Sequence, residues 1–183
     1  ILEGDMTPEQ LREASSYAAS LANRAIRAEA EKSEDCRNMG TTLVAAVTYR
    51  NGAVISNVGD SRAYHITPDG ITRVTKDHSL VESMVERGDI TAEEARRHPN
   101  KNLITRALGP DINPICDGYI CPMEQGDYLL LCTDGLVDTV TDQEMLFEVI
   151  HGDNPETCLE RLLDISKSRG AADNVTAVLL QKQ

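Results

Sequence analysis

The chain has 183 residues, of which 40% are hydrophobic and 26% charged, so it is long enough for one domain with a real core and too apolar to be disordered. A net charge of −12 and a near absence of aromatic residues (five Tyr, one Phe, no Trp) argue against a duplex-binding surface and against a stacking platform for single strands. The five cysteines are odd in number and form no C-x-x-C pair, which points to free thiols in a reducing, cytoplasmic compartment, and no apolar run is long enough to span a membrane.

Thr7-Pro8-Glu9-Gln10 has the form of a capping box with Pro at the first helical position. Leu11, Ala14, Ala18, Leu21, Ala25 and Ile26 follow at helical spacing, predicting a core-packing helix to about Glu31, with Asn23 in a structural role. A polar loop, Glu31 to Asn38, leads to predicted strands over Leu43–Tyr49, Ala53–Val58, Ala63–Ile66 and Ile71–Thr75. Asn51-Gly52 is a hairpin signal, and the four strands read as one antiparallel meander. Gly59-Asp60-Ser61-Arg62 interrupts it. Two readings stand: a bulge with solvent-facing Asp and Arg, or an Asp60 beside a metal with Arg62 as its structural partner.

Asp77-His78-Ser79 opens a helix to about Arg87 and reads as capping by Asp77 or Ser79 with a surface histidine. Thr91-Ala92-Glu93-Glu94 starts another helix ending near His98-Pro99, with His98 exposed. The polar segment 88–106 reads as a flap over one end of the sheet. Leu103 to Gly109 is amphipathic and ambiguous, and a further strand is predicted over Ile115–Ile120.

Tyr128 to Cys132 is a short apolar run, the mark of a strand buried on both faces, and it ends in Thr133-Asp134-Gly135. A carboxylate at a strand end beside a Gly suits a hard cation, and it also suits an ordinary turn. Thr141-Asp142-Gln143-Glu144 is a third capping box, with Met145, Leu146, Val149 and Ile150 behind it. Asn154-Pro155-Glu156 starts a last helix with Leu159, Leu162, Leu163 and Ile165 on its face, and a final strand is predicted over Val175–Leu180. Asp173 repeats the Asp134 pattern at a loop–strand junction, so the two carboxylates are candidates to share an ion.

Seven stretches together resemble the metal-dependent serine/threonine protein phosphatases of the 2C type, most closely the bacterial branch. They are Met39-Gly40-Thr41-Thr42, Val58 to Tyr64, Thr75 to Ser79, Gly88 to Thr91, Ile104 to Gly109, Leu131 to Leu136 and Asp173 to Thr176, standing in the family's order. The resemblance implies an α+β fold, an antiparallel β-sandwich flanked by helices, incomplete at its N-terminus. It implies a Mn²⁺ or Mg²⁺ centre with Asp134 and Asp173 as ligands of the metal core and Asp60 as ligand of a third, weaker metal. Asp77 and His78 belong to the family pattern without a metal assigned to them.

The family's phosphate-binding Arg, its Asn-Glu-Asp stretch and its Asp-Gly-x-Gly-Gly-His stretch have no counterpart in Ile1 to Asn38. The resemblance therefore implies a form lacking about sixty N-terminal residues of an ordinary member, with phosphorylated proteins as the parent's substrates. Such a form is expected to be inactive or weakly active, with a non-catalytic binding module as the rival reading. Truncated sheet edges would favour self-association or strand exchange.

Overall fold

A computed structural model describes residues 6–32, 34–152 and 154–183. Residues 1–5, part of the stretch in which the family's N-terminal motifs were sought, lie outside the described residues.

Helix α1 spans Pro8–Ala30 and begins with the predicted reciprocal cap. The Gln10 amide N–H donates to Thr7 Oγ1 at 3.3 Å, and Gln10 Oε1 accepts the Thr7 N–H at 2.9 Å. Its buried face differs from the predicted stripe. Leu11, Ala19 and Asn23 are buried, whereas Ala18, Leu21 and Ala25 are exposed. Asn23 sets this rotation: its Oδ1 accepts the Gly109 N–H at 2.6 Å and its Nδ2 donates to the carbonyls of Asp111 and Ile112. A buried amide with all these bonds made outweighs the gain from turning Leu21 inward.

Strands β1 (Leu43–Tyr49) and β2 (Gly52–Val58) form a hairpin that turns at Arg50-Asn51, one residue before the predicted position, with Tyr49 opposite Gly52. Strands β3 (Arg62–Thr67) and β4 (Gly70–Arg73) form a second hairpin. The two hairpins do not make one meander. β2 pairs with β1 and with β5 (Asp117–Pro122), in a sheet of order β1-β2-β5. β3 belongs to the other sheet, β4-β3-β6-β7, beside β6 (Tyr128–Cys132), with β7 at Ala177–Gln181. Gly59 to Ser61 is therefore the crossing from one sheet to the other, not a bulge within one.

The sheets stack through Ala53 and Ile55 of β2, Ala63 of β3, Cys121 of β5, Met123, and Leu129 and Leu131 of β6. The other face of β6 and β3 presents Leu130, Cys132, Tyr64 and Ile66 to three helices. These are α4 (Asp134–Val137), α5 (Asp142–His151) and α6 (Pro155–Ser168), which supply Leu136, Met145, Val149, Cys158 and Leu162. α1 covers the outer face of β2 and β5. The result is a helix–sheet–sheet–helix sandwich of the α+β class. β6 sits centrally with both faces covered, as its unbroken apolar run predicts.

Between β4 and β5 the chain forms α2 (Leu80–Glu86) and α3 (Ala92–Arg97), the latter capped reciprocally by Thr91 and Glu94. Residues 103–109 form no strand but touch the rest through the isolated bridges Ser79–Ile104 and Thr41–Leu108.

Candidate metal centre

Three carboxylates arrive at one end of the sandwich from different parts of the chain. Asp60 lies in the crossing between sheets. Gly59 before it has φ +110°, a backbone setting that disfavours any side chain, and a Cβ there would run into the Thr42 side chain. Thr42 Oγ1 and Ser61 Oγ lie 2.9 Å apart and tie the other side of the crossing to the start of β1.

Asp134 opens α4 where β6 ends. Thr133 precedes it but makes no side-chain cap bond to its own helix. Its hydroxyl instead accepts the Thr176 N–H at 3.1 Å and donates to the Asn174 carbonyl at 3.3 Å, while its N–H donates to the Thr176 carbonyl at 3.0 Å. These bonds drape residues 174–176 across the end of β6. Gly135 makes room for them: a Cβ at 135 would stand 2.5 Å from the Asn174 carbonyl oxygen. Asp173, exposed at the edge of this loop, accepts the Asn174 N–H at 2.7 Å.

The electrostatics follow from this crowding. Burial first, and then the Asp134 carboxylate, push the Asp60 carboxyl up to about 6. Asp134 is also raised, by burial and by Asp173 and Asp138, against the opposing pull of the Gly135 N–H and of Lys101. Among the described residues none of Asp60, Asp134 and Asp173 has an ion-pair partner. Mutually repelling oxygens without a cation are the donor chemistry of a hard divalent ion. The number of donors is another matter: among the described residues no three Asp, Glu, His or Cys side chains converge closely enough to enclose an ion. The residues would suit such a cation in chemistry, and Asp60, Asp134 and Asp173 are the ones that would hold it, with further ligands needed beyond them.

The raised Asp60 pKa carries a sign. The folded chain keeps its proton up to about pH 6, whereas an unfolded Asp loses it near 3.9, so the metal-free fold loses stability as pH rises from about 4 to about 6. After allowance for solvent screening the loss is about 1–2 kcal/mol. Asp60→Asn is expected to stabilise the metal-free chain by that amount at pH 7 and by almost nothing at pH 4, read from urea midpoints. Equal effects at both pH values would contradict it.

A cavity of about 250 Å³ opens beside this centre. Its lining includes Asp60, Asp134, Asp138 and Asp142 together with Arg96 and Lys101 of the 88–106 segment. Lys101 Nζ bridges to Asp138 Oδ2 at 2.6 Å. Asp173 stands outside this cavity, so Asp60 and Asp134 share a space that Asp173 only borders.

Two expectations need correction. Arg62 does not partner Asp60. Its guanidinium grips Asp77 through Nε at 3.0 Å and NH2 at 2.6 Å, and donates to Tyr64 Oη at 3.2 Å. Nor do Asp77 and His78 form a cap and a surface histidine. Ser79 alone caps α2, and Asp77 and His78 are 7% and 6% exposed. Arg106 joins the same layer: its NH1 donates to Asp117 Oδ1 at 2.8 Å and to the Ile115 carbonyl at 2.9 Å, and lies 2.9 Å from His78 Nε2. Sequence reasoning missed this buried polar layer because the carboxylates that pair with Arg62, His78 and Arg106 lie 15, 39 and 11 positions away in the chain.

Residues 2–178 match the family described as Protein phosphatase 2C. The serine/threonine phosphatase stp of Listeria innocua is 38% identical over 164 residues, covering 87% of this chain and 64% of that protein. The PstP phosphatase of Mycobacterium tuberculosis is 37% identical over 163 residues, covering 88% of this chain and 31% of its own length. The chain thus spans less than two thirds of these relatives. Among solved structures, serine/threonine phosphatase Stp1 from Staphylococcus aureus superposes with a TM-score of 0.94 at 34% identity, covering 99% of this chain and 71% of its own. The catalytic domain of PstP in complex with two manganese ions superposes at 0.77 with 34% identity, covering 97% of this chain and 72% of that one.

Proposed function

Because the chain belongs to the protein phosphatase 2C family, whose members are Mn²⁺- or Mg²⁺-dependent, we propose that it carries part of the metal centre of a serine/threonine protein phosphatase. Asp134 and Asp173 are the proposed ligands of the metal core, and Asp60 that of a third, weaker metal. The observation that supports this most is that Asp60 and Asp134 line one cavity without an ion-pair partner among the described residues, where burial first and the Asp134 carboxylate second push the Asp60 carboxyl up to about 6.

When bound, the ions supply an acidified water and neutralise phosphate oxygens. The chain's own residues do the rest. Thr133 and Gly135 fix Asp134 and the Asp173 loop, the Gly59 crossing presents Asp60, and the 88–106 segment walls off the cavity. Residues 1–183 act as a single domain in this proposal, with 88–106 as a flap inserted within it. The proposed substrates are phosphoserine and phosphothreonine in proteins, the phosphorylated side chain entering the cavity. Pairing at the sheet edges, where β1 has a single neighbour, is the proposed route to self-association.

Weak turnover by this chain is proposed, because no three of its described donors enclose an ion. The same fact favours a second reading, a phosphatase-like module that binds without catalysis. Hydrolysis of a small aryl phosphate, with and without millimolar Mn²⁺, separates them. The expected result is slow, Mn²⁺-dependent turnover abolished by Asp134→Asn. Mn²⁺ binding without any turnover fits the inactive form and the binding module alike, and adding back the upstream coding region then separates the two. Turnover indifferent to Mn²⁺ and to Asp134→Asn overturns the metal reading altogether.

A further inference from the structure

The crossing that carries Asp60 has no regular strand pairing, so something else must hold it. We infer that His78 is a positioning residue for Asp60, acting by clamping both sides of the Gly59 residue. The His78 ring Nδ1 accepts the Gly59 N–H at 3.0 Å, and the His78 backbone N–H donates to the Gly59 carbonyl at 2.9 Å. Asn57 Nδ2 adds a longer bond to the same carbonyl at 3.3 Å. With φ +110° at Gly59, the direction in which Asp60 leaves the peptide depends on these bonds.

The ring's own orientation is set from behind. Nδ1 must be unprotonated to accept from Gly59, so the proton sits on Nε2, which donates to Asp117 Oδ2 at 3.1 Å, and Arg106 NH1 packs 2.9 Å from the same ring nitrogen. Asp117 in turn receives Arg106 at its other oxygen. Asp117 stands at the start of β5, in register with Asn57 of β2, so this support is built into the sheet. The His78 carbonyl also accepts the Thr105 N–H at 2.7 Å. One buried histidine therefore joins the crossing that bears Asp60 to the C-terminal end of the 88–106 segment. This is the relation of an outer-shell partner to a ligand-bearing loop, in which a lost orienting bond typically costs 10–100-fold in metal affinity.

The inference rests on the metal reading of Asp60, and two substitutions separate it from general damage to the core. In His78→Asn the side-chain oxygen stands near the position of Nδ1 and can still accept from Gly59, while the bond to Asp117 is lost. In His78→Gln the amide reaches toward Asp117, and the acceptor for Gly59 is lost. Mn²⁺ dissociation constants are measured for both by electron paramagnetic resonance, with Asp60→Asn defining what Asp60 contributes. Hydrogen exchange of the Gly59 amide is followed in the metal-free chain. His78→Gln is expected to speed Gly59 exchange and weaken Mn²⁺ binding about 10-fold, close to Asp60→Asn. His78→Asn is expected to keep both near the unsubstituted values.

Equal behaviour of the Asn and Gln variants overturns the positioning role. If Asp60→Asn leaves Mn²⁺ affinity unchanged, the metal reading of Asp60 fails and the inference falls with it, whatever the Gly59 exchange shows. Should His78→Gln not fold, Asp117→Ala, at a half-exposed position, removes the partner that orients the ring. It is expected to speed Gly59 exchange and weaken Mn²⁺ binding, and no change in either overturns the inference.

Discussion

Arg62→Ala is expected to remove about 3 kcal/mol of stability and lower the melting temperature by about 6–12 °C. The cause is the carboxylate left behind. Asp77 is 7% exposed and receives three hydrogen bonds from the Arg62 guanidinium. Burial opposes the charge on Arg62, but the Asp77 carboxylate outweighs it and holds the guanidinium charged. Without Arg62, the nearest remaining cation is Arg73, whose NH1 is 3.8 Å from Asp77 Oδ2 and which is already committed to Glu82 at 2.5 Å. Tyr64, fully buried, loses its donor as well.

Breaking a buried pair on one side costs far more than exchanging both partners for apolar groups. The double variant Arg62→Met, Asp77→Leu is therefore expected to lose less than Arg62→Ala alone. Urea denaturation at constant pH checks both. A loss below about 1 kcal/mol for Arg62→Ala would show that the pair behaves as a surface ion pair and that the buried layer is misread.

The second large effect is expected at Gly135. In a helix, Gly→Ala ordinarily stabilises by about 1 kcal/mol. Here the added Cβ would stand 2.5 Å from the Asn174 carbonyl oxygen and 3.2 Å from its carbon, both backbone atoms that cannot swing aside. Overpacking of this kind costs about 1–3 kcal/mol and outweighs the propensity gain. Relief requires residues 174–176 to move off Thr133, breaking the bonds that hold Asp173 beside Asp134. Gly135→Ala is thus expected to be destabilising and to weaken Mn²⁺ binding about 10-fold or more, the larger Gly135→Val more severely. Thermal melts and Mn²⁺ titration of the same samples decide it. A stabilised Gly135→Ala with unchanged affinity would mean that this contact does not fix the Asp173 loop.

Local chemistry was legible in the sequence. The Thr7–Gln10, Thr91–Glu94 and Thr141–Glu144 boxes all form as reciprocal caps, because each needs only residues three apart. The apolar run Tyr128–Cys132 was readable as a central strand because burial on both faces leaves no polar alternation. Asp60, Asp134 and Asp173 could be singled out because each stands at the end of a strand or a loop–strand junction near a Gly. What sequence could not supply was anything decided by a distant partner. The crossing at Gly59 looked like a bulge because a change of sheet leaves no periodic mark. The rotation of α1 is set by Asn23 bonding to a loop more than eighty residues away. Of the two caps considered before α2, Asp77 or Ser79, Ser79 is the one that forms, whereas the burial of Asp77 and His78 was hidden because Arg62 and Asp117 lie 15 and 39 positions from them. Caps and strand periods are short-range and survive in one dimension. The burial of a charge depends on what the folded chain brings beside it, and only the tertiary structure decides that.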